Sequence, residues 1–147
     1  MFMDITRGVA ALISVWSLGS QAFDAKTATV CPSDDNAPEF LDEAQTYINL
    51  GRHHSAAILA GDALESTLRK LCLTHSVEVP SDSTLDNMNA ELARMGIYDD
   101  RTEQRLSAAS DLREKANCGL WSEVSKDDVE TMIAEVRTFA AEYAAAL

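Results

Sequence analysis

The stretch His54–His75, HSAAILAGDALESTLRKLCLTH, decides the fold class. Ala57, Ala60, Leu64, Leu68 and Leu71 recur at steps of three, four, four and three, the spacing that stacks side chains along one face of an α-helix. Gly61 and the small alanines let a neighbouring element come close. Cys72 extends the apolar face and reads as a small core residue. Glu65 and Arg69 form an i, i+4 pair on the polar side, worth only a few tenths of a kcal/mol. A helix this long and this apolar on one side needs other helices to cover it.

Working outward, the same period recurs on both sides. Upstream, Phe40, Leu41, Ala44 and Ile48 make a stripe, with Asn36 or Asp35 as cap, Pro38 in the first turn and Gly51 at the end. Downstream, Val79–Ser83 is a loop, and Ser83 with Asp86 reads as a cap. Leu85, Met88, Leu92 and Met95 follow as a stripe closed by Gly96. Tyr98-Asp99-Asp100 opens another helix, with Leu106, Ala109, Leu112 and Ala116 inward and Gly119 at its end. Ser125 with Asp128 resembles a capping box. The last stripe is Val129, Met132, Ile133, Val136, Phe139, Ala140 and Tyr143. No period-two strand pattern and no internal repeat stands out. The expectation is all-α: a five- to six-helix bundle over residues 38–147, a polar loop over 26–37, and an extra N-terminal apolar helix within 1–25.

Composition agrees. The 147 residues are 46 % apolar with a mean hydropathy of −0.12, which suits a packed core rather than disorder. Six Gly and three Pro are too few for the turns of a β-sandwich. Twelve Lys+Arg against 24 Asp+Glu leave a net charge of −12. That field repels phosphate backbones and disfavours RNA, a small basic cleft being the exception. Cys31, Cys72 and Cys118 are an odd count without a CxxC pair. They form neither a disulfide framework nor a zinc site, and they suit a reducing, cytoplasmic setting.

Residues Gly8–Leu18 (GVAALISVWSL) are the most apolar run, well short of the roughly 20 residues that span a bilayer, so no membrane span is expected. Arg7 before it and Ser20-Gln21-Ala22 after it allow a secretory-signal reading of residues 1–22. Asp4 and the free thiols weigh against that. Ile5, Val9, Leu12 and Trp16 lie on one helical face, favouring a segment that packs on the domain or on a partner chain.

Chemistry is sparse. His53 and His54 are adjacent and point about 100° apart on a helix, a poor chelate; they read as solvated side chains at a helix start, and no metal site is expected. No phosphate-cradling glycine motif and no cofactor signature occur. The unusual stretch is Asp111–Trp121, DLREKANCGLW. Arg113, Ala116 and Asn117 share a helix face, with Arg113 at the edge of the apolar stripe and Lys115 beside it. One reading pairs Arg113 with a neighbouring helix through Asp62 or Glu65; the other makes it an anion or RNA-phosphate contact. Arg113 and Lys115 would lower the thiol pKa of Cys118. No histidine stands near in sequence to act as its base, and the helix C-terminus disfavours a thiolate.

The succession LDEAQTYINLGRHHSAAILAGDALESTLRKLC (41–72), TLDNMNAELARMGIY (84–98) and DLREKANCGLW (111–121), followed by a capped amphipathic helix, resembles HEPN-type α-helical domains. The similarity runs from about Phe40 to Tyr143. It implies a helical bundle that commonly dimerises. Many such domains are metal-independent ribonucleases of toxin–antitoxin, abortive-infection and CRISPR systems. Their site is an Arg, usually followed by a polar residue, with a His four to six positions on; two such helices meet across a dimer, the His aiding proton transfer and the Arg stabilising phosphate.

By that resemblance Arg113 takes the Arg position and Cys118 stands where the His would be. A thiol with a pKa near 8.5 cannot present an imidazolium at neutral pH, and Glu114 adds negative charge where phosphate would lie. General acid–base catalysis contributes about 10²–10⁴-fold, so losing the His removes most turnover. The expectation is a catalytically degenerate interaction or regulatory module in a defence or toxin–antitoxin context. It would act as a homodimer or on a partner protein, without a cofactor, with Asp62, Glu65, Arg113 and Lys115 as binding residues. The alternative is a metal-independent endoribonuclease using Arg113, with Asn117 or Cys118 in its site.

Overall fold

The computed structural model describes residues 37–144. They form five α-helices: α1 Ala37–Asn49, α2 His53–Thr74, α3 Leu85–Arg94, α4 Asp100–Asn117 and α5 Lys126–Ala144. A 3₁₀ turn at Trp121–Glu123 joins the last two. No strand occurs among the described residues, so the described part is an all-α bundle. The N-terminal apolar helix expected within 1–25, its alternative reading as a secretory signal, and all but the last residue of the 26–37 loop lie outside the described residues. Among those described, no helix is long and apolar enough to cross a membrane.

The organising element is α2, which packs against α1, α3, α4 and α5. The residues that mark it in the sequence are its buried face: Ala57, Ala60, Leu64, Leu68 and Leu71 are sealed from solvent, and Cys72 is 2 % exposed. Burying one leucine side chain contributes about 1.5–3 kcal/mol, several times the Glu65–Arg69 pair on the outer side, so the stripe sets the fold and the pair decorates it. Leu41, Ala44 and Ile48 of α1 and Val129, Met132, Ile133, Val136 and Phe139 of α5 complete the core.

Helix ends follow local chemistry. Gly51, Gly96 and Gly119 all take positive φ near 75°, the left-handed C-terminal geometry that costs glycine least. Asp99 caps α4, accepting from the Thr102 N–H at 2.9 Å. Ser125 Oγ accepts from the Asp128 N–H at 3.1 Å. The cap of α3 is Thr84, which accepts from the Asn87 N–H at 3.3 Å, one residue beyond the expected Ser83. Met95, expected on the α3 stripe, is 49 % exposed: α3 stops at Arg94, and Gly96 turns the chain so that Tyr98 enters the core instead. Tyr98 packs edge-on against Phe139, with ring centroids 5.6 Å apart.

Between α3 and α4 lies a polar node. Asn89, 1 % exposed, donates through Nδ2 to the Glu103 carbonyl at 2.9 Å and to Ser107 Oγ at 3.1 Å. The Tyr98 hydroxyl donates to Asn89 Oδ1 at 2.7 Å. Burial raises the Tyr98 phenol well above its ordinary range, so it remains a donor.

Candidate functional site

The side chain of Arg113 leaves α4 and lies across α2 at Gly61. A Cβ built on that glycine would fall 2.2 Å from Arg113 Cδ and 2.6 Å from Cγ, so only glycine admits the arginine stem at this crossing. The guanidinium then reaches two carboxylates one turn apart on α2. Nη2 donates to Asp62 Oδ1 at 2.5 Å and Nη1 to Glu65 Oε2 at 2.9 Å. Nε is buried without a hydrogen-bond partner.

Glu65 is shared. Its other oxygen accepts from Arg69 Nη2 at 2.9 Å and from Nε at 3.2 Å. Burial pushes the Glu65 carboxyl pKa upward, but the hydrogen bonds and charges of Arg69 and Arg113 outweigh it and hold the group below its usual range. Arg69, Glu65, Arg113 and Asp62 thus form a chain of alternating sign whose charges sum to zero. The Arg113 side chain is only 22 % exposed, with both terminal nitrogens engaged inside its own chain. A phosphate would have to displace carboxylates from a partly desolvated guanidinium, losing bonds of the charge-assisted class.

The other residues singled out in the sequence spread along the end of α4. Asn117 is its last residue, exposed, about 40° around the helix from Arg113. Cys118 caps the helix, exposed, its N–H donating to the Glu114 carbonyl at 2.9 Å; it lies about 140° around from Arg113. Lys115 Nζ stands 3.5 Å from Glu123 Oε2, turned away from Asp62 and Glu65 toward the 3₁₀ turn. The structure therefore gathers Arg113, Asp62 and Glu65 and leaves Lys115 and Cys118 outside that cluster.

Sequence reading set His53 and His54 aside as solvated side chains, and here the structure differs. Both are half-buried. His54 Nε2 lies 3.3 Å from the Trp121 carbonyl oxygen, the two rings are 5.4 Å apart, and His53 stacks on His54 at 4.2 Å. Gly119 turns the chain back at the end of α4, which brings Trp121 onto the start of α2; that glycine was the one available signal. Along α2, His54 precedes Asp62 by eight residues, about 12 Å, too far to act on a phosphate held at Arg113. Among the described residues no group of three His, Cys, Asp or Glu side chains is placed to hold a metal ion.

Comparison with known proteins adds one match. A family model described as HEPN domain covers residues 35–145, a span that includes all five helices and the Arg113 cluster. No curated protein and no solved structure matches the chain.

Proposed function

The chain belongs to the HEPN domain family, and on that premise we propose that it is a catalytically degenerate interaction or regulatory module of a defence or toxin–antitoxin system. It works in the cytoplasm through dimerisation or through a partner protein, and residues 1–25 serve it as a packing or partner segment. One observation carries this reading: Arg113, at the position of the family's phosphate-contacting Arg, is neutralised by Asp62 and Glu65 of its own chain. Cys118, five residues on, stands in place of the imidazole, on a different side of α4.

The competing reading is a metal-independent endoribonuclease using Arg113 with Asn117 or Cys118. Incubating the full chain with single-stranded and structured RNA in EDTA separates the two. The expected result is no cleavage above buffer, from the wild type and from Cys118→His alike, because the imidazole would arrive while the guanidinium stays engaged. Wild-type cleavage that disappears in Arg113→Lys, with helical circular dichroism unchanged, overturns the proposal in favour of the nuclease.

A further inference from the structure

Between the last turn of α2, the start of α3 and the chain that joins them lies a groove of about 810 Å³, within the range of about 300–1,000 Å³ that holds ligand-sized groups. Cys72 and Met88, both core residues, form its floor. Leu73, Val77, Val79 and Pro80 form its walls. Leu73 is 71 % exposed, the most open large apolar side chain among the described residues.

The joining chain is an unpaired edge. The Val77 N–H donates to the Cys72 carbonyl at 2.8 Å, but the N–H groups of Glu78 and Val79 donate no hydrogen bond among the described residues. Residues 77–80 are neither helical nor turned, and Pro80 confines Val79 to extended backbone. Exposure alternates along them: Val77 and Val79 are half-buried, Glu78 and Pro80 exposed, the period of a strand. Just before them Ser76 holds a φ of +55°, where α1, α3 and α4 each end on a glycine. A side chain is strained in that conformation, and the serine sets a hydroxyl on the groove.

Charge selects the occupant. Arg69 on the rim is held by Glu65, so Glu78, without an ion pair among the described residues, sets the sign of the groove. α2 ends here with no basic residue in its last turn, and a helix C-terminus attracts cations. The chain as a whole carries −12, a field that steers basic partners toward it.

We propose that this groove takes an extended segment of a partner protein, apolar and basic in alternation, laid alongside residues 77–80. The inference rests on the reading of the chain as an interaction module and names its surface and its partner's chemistry. The partner's backbone bonds to the Glu78 edge, an apolar side chain seats against Leu73, and a Lys or Arg faces Glu78. In this mode main-chain bonds supply affinity and alternate side chains supply specificity.

Selection of phage-displayed random short peptides on the full chain tests it, followed by fluorescence anisotropy of the selected peptide. Enriched sequences should alternate apolar residues with Lys or Arg. Leu73→Gln, at an exposed position, should keep its helical circular dichroism and weaken the selected peptide about tenfold or more. Glu78→Lys should weaken it about fivefold and strengthen a version carrying Glu at each basic position. Trp121→Ala, outside the groove, should change neither. No enrichment, an acidic or uncharged consensus, or a peptide indifferent to Leu73→Gln overturns the proposal. So does a wild-type dimer in sedimentation velocity that Leu73→Gln dissociates, which would seat a second copy in the groove. None of these outcomes reads RNA cleavage, so this surface and the non-catalytic reading fail separately.

Discussion

Arg113 rests on the bare Cα of Gly61: a methyl group there would overlap Arg113 Cδ at 2.2 Å. Gly61→Ala should therefore expel the arginine stem and destabilise the fold by about 1–3 kcal/mol, although alanine is the better helix former by about 1 kcal/mol. Arg113→Ala alone should cost a similar amount by leaving Asp62 without its cation and Glu65 with Arg69 alone. The double variant should be markedly less damaged than the sum, because alanine at 61 no longer meets an arginine. Urea unfolding of the four proteins measures the coupling; additive losses would show that the two residues are independent.

The carboxylate that bridges Arg69 and Arg113 makes part of the stability dependent on pH. Glu65 is held below the usual value of about 4.5. Its contribution is thus fully present above that value and is lost as pH falls through the lower folded-state value. Glu65→Gln should lie about 1–2 kcal/mol below wild type at pH 7. The gap should persist to about pH 5 and narrow in more acidic buffer, as read from chemical denaturation at each pH.

A third expectation concerns Asn89, whose amide ties α3 to α4. Asn89→Ala removes the amide that accepts from Tyr98 and donates to the Glu103 carbonyl and Ser107 Oγ, leaves the Tyr98 hydroxyl only its 3.1 Å bond to the residue-89 carbonyl, and opens a small void. A loss of about 2–4 kcal/mol follows. Tyr98→Phe, which removes only one donor, should cost about 1 kcal/mol. Thermal unfolding that ranks the two in the opposite order would contradict the node.

The thiols should separate cleanly. Cys118 is exposed and Cys72 buried, and burial raises the Cys72 pKa further. In a Cys31→Ser background, a disulfide reagent at pH 8 should modify one thiol at once and the other about a hundredfold more slowly. Mass mapping should place the fast site at Cys118.

What the sequence reveals here is periodicity and punctuation. The five stripes, the three glycine stops and the Ser125 cap are local signals, and each helix lies within about two residues of its expected bounds. Met95 misled because its spacing continues the α3 stripe while Gly96 ends the helix first. The cap at Thr84 was displaced by one residue because Ser83 and Thr84 offer the same hydroxyl chemistry. Arg113 carried its own ambiguity: an arginine at the edge of a stripe serves a phosphate or an internal carboxylate equally well in one dimension. Whether it meets Asp62 and Glu65 depends on α4 crossing α2 at Gly61, which no local pattern encodes. The same holds for His54 and Trp121, 67 residues apart and joined only by the fold.

Placing α2 at the hub has a consequence for how the molecule breathes. All four other helices lean on it, so no pair of helices can detach without baring its buried face, and the bundle lacks a weak seam for partial melting. Backbone amides from Ala56 to Cys72 should exchange with deuterated water only when the whole domain opens, while the 3₁₀ turn at Trp121–Glu123 exchanges through small local excursions.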